Sequence, residues 1–131
     1  MKHIAEFYKY LHKKNNGVFY RSTCIGKEKL NGGYKLGFGK YYTWEKGMAE
    51  AFGKLLCGEG NFKLEKTTLS ETLKLLDSGS RTFCDIKEEL GFNCWDNIAD
   101  ETAARILSHK IKQKGYDGAI SDKVADGICI F

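Results

Sequence analysis

Val18-Phe19-Tyr20-Arg21-Ser22 near one end of the chain and Ile128-Cys129-Ile130-Phe131 at the other are short runs of strand-forming residues. Stretches with helical spacing lie between them. Strands so far apart must find partners across those helical stretches, which predicts an α+β fold whose terminal strands meet in the middle. At 131 residues the chain has the size of one domain. The expectation is a single small α+β domain over residues 1–131, with an N-terminal helix over 1–16 and a core over 18–131.

Glycine sets the element boundaries, because there are 15 glycines and no proline. Ile4, Phe7, Tyr8 and Leu11 recur at helical spacing, so residues 3–14 read as an amphipathic helix closed by Asn15-Asn16-Gly17. Glycines 26, 32, 33, 37 and 39 make residues 26–39 a long loop, and long loops in small domains are more often functional than not. Lys40-Tyr41-Tyr42-Thr43 reads as a strand. Thr43 is then the expected N-cap of a helix over 44–57, with Lys46 standing where a capping box has its carboxylate. Phe62-Lys63-Leu64-Glu65-Lys66 alternates as a half-exposed strand does, whereas residues 69–77 fit a strand or a helix. Two more helices, near 81–90 and over 97–114, end at Gly91 and Gly115. Ala99, Ala103, Ile106, Leu107 and Ile111 form the expected buried face of the second. After the Lys114-Gly115-Tyr116-Asp117-Gly118 turn, Ala119-Ile120-Ser121 and the closing apolar run supply two short strands.

Composition narrows the class. No apolar run approaches the roughly 20 residues that span a bilayer, and Met1-Lys2-His3-Ile4-Ala5-Glu6 lacks the apolar segment of a signal peptide. The expectation is a cytoplasmic, intracellular protein with no membrane partner. Cys24, Cys57, Cys84, Cys94 and Cys129 are odd in number and scattered, with no Cys-x-x-Cys pair, so they read as buried thiols. His3, His12 and His109 are grouped with none of them, and no metal site is expected. Residues 1–54 carry 11 Lys/Arg against 4 Asp/Glu, and the remainder 10 against 13. That basic first half either attracts a phosphate-bearing ligand or is a solvated lysine surface. No basic block is dense enough to argue for nucleic acid.

A few side chains carry possible chemistry. Arg21, inside a strand of Val, Phe and Tyr, either sits on an exposed face or aims its fork of donors at a phosphate. Gly37-Phe38-Gly39 lets a backbone be approached closely. Beyond it, alternation puts Tyr41 and Thr43 on one face and Tyr42 on the other. Each tyrosine is either core or a plate on which a flat heteroaromatic ring stacks. Phe52, on the next helix, suits the core better than a ligand wall.

In this order the pieces resemble the ADP-ribosyltransferase-like superfamily over residues 18–131. The aromatic-Tyr-Arg strand is Phe19-Tyr20-Arg21-Ser22-Thr23, the Gly-x-Tyr-aromatic-Thr strand is Gly39-Lys40-Tyr41-Tyr42-Thr43, and the Gly-Tyr-Asp-Gly turn precedes the last strand. The resemblance implies a split sheet of short strands with flanking helices, and NAD as substrate. It makes Arg21 and its neighbour Ser22 the residues that grip NAD, with Arg21 on phosphate and ribose. Tyr41 or Tyr42 with Phe52 would flank the nicotinamide, and Thr43 would brace the site. The family's acid near the start of the last strand is commonly a glutamate. Here that place reads Ala125-Asp126-Gly127-Ile128, which makes Asp126 the catalytic carboxylate and Asp122 the next nearest. The implied function is an NAD-dependent mono-ADP-ribosyltransferase of effector or toxin type, acting on a protein target rather than on nucleic acid. An NAD glycohydrolase and a catalytically inactive binding module on the same fold are the alternatives.

Overall fold

The computed structural model describes residues 2–25, 34–121 and 127–131. Its elements run α1 (Lys2–Lys14), β1 (Val18–Cys24), β2 (Lys40–Tyr42), α2 (Lys46–Cys57), β3 (Phe62–Thr68), β4 (Leu75–Asp77), α3 (Arg81–Glu89), α4 (Glu101–Gln113), β5 (Gly118–Ile120) and β6 (Ile128–Ile130). The fold is α+β, with two sheets. In one, β1 pairs antiparallel with β3; in the other the strand order is β2-β6-β5-β4, with β4 parallel to β5.

The expectation that the terminal strands meet is corrected. β6 lies between β2 and β5, while among the described residues β1 joins the second sheet only through an isolated bridge between Tyr20 and Thr43. The reason is length. The three residues of β6 are fully used by β2 on one side and β5 on the other, and the seven-residue β1 finds its match in the seven-residue β3.

Both faces of the four-stranded sheet are buried, and the register shows how. Tyr41, Cys129 and Ala119 lie side by side across β2, β6 and β5, and so do Tyr42, Ile128 and Ile120. The first row faces Phe83 and Ile86 of α3 and Leu107 and Ile111 of α4. The second faces Tyr8 and Leu11 of α1 and Phe19 of β1. Phe19 is wholly buried beneath the Tyr8 ring, stacked at 6.0 Å. Truncating such a side chain to alanine typically costs about 3–5 kcal/mol.

Glycine serves the sheet where strands must come close. A β-carbon on Gly39 would meet the Ile130 carbonyl, and one on Gly118 the Cys129 carbonyl. Asp117, the third residue of the Gly-Tyr-Asp-Gly turn, ties the region together. Its amide donates to the Lys74 carbonyl at 2.7 Å, its carboxylate accepts from the Lys74 amide at 2.9 Å, and its carbonyl accepts from the Phe131 amide at 3.1 Å.

Other expectations are adjusted. Segment 69–77 resolves as a turn followed by β4. The N-cap of α2 is Glu45, without a side-chain bond, and Thr43 instead accepts from the Glu45 amide at 3.3 Å. α4 begins at Glu101 behind an Asp100 cap, and its buried face is Ala104, Leu107, Ser108 and Ile111. Ala99 lies outside the helix, and Ile106 stays 43% exposed because the packed stripe is set by α3 and β5 rather than by apolar character alone.

The cysteines are not five buried thiols. Cys24 is bonded to Cys57, joining the end of β1 to the end of α2, and Cys84 is bonded to Cys94, joining α3 to the loop after it. The pairs have Cα atoms 5.2 and 4.6 Å apart, within disulfide reach. Sequence separations of 33 and 10 residues carry no sign of that proximity. Cys129 remains a buried thiol directed at the Gly37 carbonyl. The second disulfide has a polar companion. Lys87, 1% exposed, donates to the carbonyls of Cys94 and Asp96, and burial holds its ammonium below the usual lysine range.

Candidate functional site

The two faces of β1 have different fates. Ser22 and Cys24 point to α2, since the Ser22 hydroxyl donates to the Ala49 carbonyl and Cys24 is bonded to Cys57. By alternation Phe19, Arg21 and Thr23 occupy the opposite face. Cross-strand register puts Glu65 of β3 directly beside Arg21. The Glu65 carboxylate lies 3.8 Å from Arg21 Nη1 and accepts from Thr23 Oγ1 at 3.2 Å. Both charged side chains are partly exposed, Arg21 by 23% and Glu65 by 40%, so the ion pair adds at most about 1 kcal/mol of stability.

The Tyr20–Thr43 bridge brings β2 against this face. Tyr20 and Thr43 exchange amide-to-carbonyl hydrogen bonds of 2.9 and 2.8 Å. The Arg21 guanidinium then lies 5.9 Å from the centre of the Tyr42 ring, near the outer limit of a cation–π contact. Arg21 Nε is buried and has no hydrogen-bond partner among the described residues. A guanidinium with donors to spare, beside a half-exposed carboxylate and above an aromatic ring, suits a ligand with anionic or hydroxyl groups next to a flat ring.

Asp122 and Asp126 are the carboxylates to which the sequence resemblance points. Both aspartates lie outside the described residues, but the flanking Ser121 amide donates to the Gly127 carbonyl at 2.7 Å. Gly127 packs against the Trp44 indole, one residue past Thr43, and precedes Ile128, the cross-strand partner of Tyr42. Trp44 is fixed from the other side by an edge contact with Phe7 at 5.6 Å.

Of the residues singled out in the sequence, Arg21, Tyr42 and Thr43 are brought together. Thr43 is 2% exposed, and it accepts from the Glu45 amide. Three others are placed elsewhere. Tyr41 faces α3 and α4, where its hydroxyl donates to the Gly37 carbonyl at 2.6 Å and accepts from the Leu36 amide at 2.9 Å. Ser22 is turned to α2, and Phe52 is on α2 itself, which covers the face of β1 away from Arg21. The Gly37-Phe38-Gly39 turn is fastened to α4, because Ser108 Oγ both accepts from the Phe38 amide at 2.7 Å and donates to the Phe38 carbonyl at 3.0 Å. Sequence reasoning missed Glu65, Thr23 and Trp44. The alternation of residues 62–66 held the only signal for Glu65, and it named no partner strand.

The chain matches no protein-family profile, no curated protein and no solved structure. Among the described residues no group of His, Cys, Asp or Glu is arranged to hold a metal ion, and no helix is long and apolar enough to cross a membrane.

Proposed function

We propose that the protein is an NAD-dependent mono-ADP-ribosyltransferase that modifies a macromolecular target, most simply a protein. The observation that carries this reading is the Tyr20–Thr43 bridge, because it unites Arg21, Tyr42 and Thr43 from two separate sheets. Arg21 grips the NAD phosphates and the adjoining ribose through its unused donors. Tyr42 supplies an apolar plate beneath that contact, and Thr43 keeps the two strands in register. A carboxylate of the site, Asp126 on the sequence resemblance, stabilises the positive charge that develops at the anomeric carbon as nicotinamide departs. A target side chain then attacks that carbon.

We place the reaction in the cytoplasm, where NAD is available. The two disulfides are bonds of the kind formed in oxidising compartments, which suits an effector that traverses one before it acts. A binding module on the same fold is the second reading. It is favoured by the hydroxyls of Tyr41 and Ser22, both committed to holding backbone carbonyls.

Incubation with labelled NAD and a cell lysate, followed by mass spectrometry, tests the proposal. Label should appear on a protein with the wild-type chain and be lost with Arg21→Ala. Free ADP-ribose without labelled protein would indicate a glycohydrolase, and no consumption of NAD would indicate the binding module.

A further inference from the structure

Asp126 is the carboxylate to which the sequence points; among the described residues, the carboxylate beside Arg21 is Glu65. It is held in three ways. Its backbone sits in the β1–β3 ladder at the position paired with Arg21, one carboxylate oxygen accepts from Thr23 Oγ1 at 3.2 Å, and the other lies 3.8 Å from Arg21 Nη1. At 40% exposure it still presents lone pairs to an incoming ligand. A carboxylate fixed on a strand by a neighbouring hydroxyl and a guanidinium is pre-oriented, and pre-orientation is what electrostatic stabilisation of a developing cation requires.

We infer that Glu65 is the catalytic carboxylate of this site, in the role that the sequence resemblance assigns to Asp126. This rests on the NAD-transferase reading above. In the reaction, Glu65 accepts a hydrogen bond from a hydroxyl of the nicotinamide-bearing ribose while Arg21 holds the phosphates. The bond between the anomeric carbon and the nicotinamide nitrogen breaks, and its electron pair leaves with nicotinamide, which becomes neutral. The carboxylate offsets the positive charge left on the ribosyl ring. A lone pair of the target nucleophile forms the new bond at the anomeric carbon, and Glu65 takes the proton that nucleophile releases and passes it to water. Thr23 is a positioning residue that keeps the carboxylate turned to the ribose.

The test measures NAD binding by thermal shift and nicotinamide release by chromatography for the wild type, Glu65→Gln, Glu65→Asp, Thr23→Val and Asp126→Asn. Glu65→Gln keeps a hydrogen-bonding group for Thr23 and Arg21, so its NAD-induced shift should persist. Its nicotinamide release should fall about 100-fold or more, the scale of losing one preorganised stabilising group. Glu65→Asp should recover part of that rate. Thr23→Val should lower kcat more than it raises KM, and Asp126→Asn should lose less of the nicotinamide-release rate than Glu65→Gln does. Wild-type turnover by Glu65→Gln together with its loss in Asp126→Asn would overturn the assignment while leaving the transferase reading intact. A wild-type chain that neither shifts with NAD nor releases nicotinamide would overturn both. If Glu65→Gln proves unfolded, the rates of Glu65→Asp and Thr23→Val decide, and wild-type rates in both would refute the assignment.

Discussion

Burial pushes the Tyr8 phenol up to about 12, and its hydroxyl donates to the Ser70 carbonyl at 2.6 Å. The unfolded chain ionises such a phenol near 10. The stabilisation is therefore complete below pH 10 and is lost as pH rises from 10 toward 12, because only the unfolded state gives up its proton there. Urea denaturation at pH 9 and pH 12 should show the wild type losing on the order of 2–3 kcal/mol more than Tyr8→Phe. Alternation, the simplest rule for a strand, also separated Tyr41 from Tyr42 correctly, and the structure adds that Tyr42 is the one facing Arg21. Glu65 was hidden for a physical reason. Its nearness to Arg21 comes from the register of β1 against β3, and register depends on which strands pair rather than on the local pattern of either.

At the level of elements, the helices were the most legible parts. α1, α2, α3 and α4 all stand close to where their apolar spacing put them, and Ser80 caps α3 by accepting from the Phe83 amide at 3.2 Å. The rotated face of α4 was not legible, since Ser108 is buried through its two bonds to Phe38 and not through hydrophobicity. The disulfides were invisible for a similar reason, as they depend on α2 packing across β1 and on the loop returning over α3. By loop-closure entropy the Cys24–Cys57 link, closing 33 residues, stabilises the fold by about 3–4 kcal/mol. Calorimetry of Cys24→Ser/Cys57→Ser should show a melting temperature lower by on the order of 10 °C. Excess reductant should move the wild type in the same direction and leave the double variant less affected.

Over the whole molecule, two sheets meet at one bridge, and the cluster that could bind a ligand forms at that meeting. Neither sheet makes the cluster alone, since Arg21, Thr23 and Glu65 belong to one and Tyr42 to the other. The α+β class was legible because strand-like and helical periods are well separated along the chain. The meeting of β1 with β2 was not legible, because a single bridge leaves no periodic trace. On the proposed function, this junction binds NAD. A thermal-shift titration with NAD measures it most directly, as a ligand that binds only the folded state must raise its stability. The wild type should melt several degrees higher at millimolar NAD, and Arg21→Ala should show no rise. A wild-type melting temperature that stays constant across the titration would contradict NAD binding at the junction.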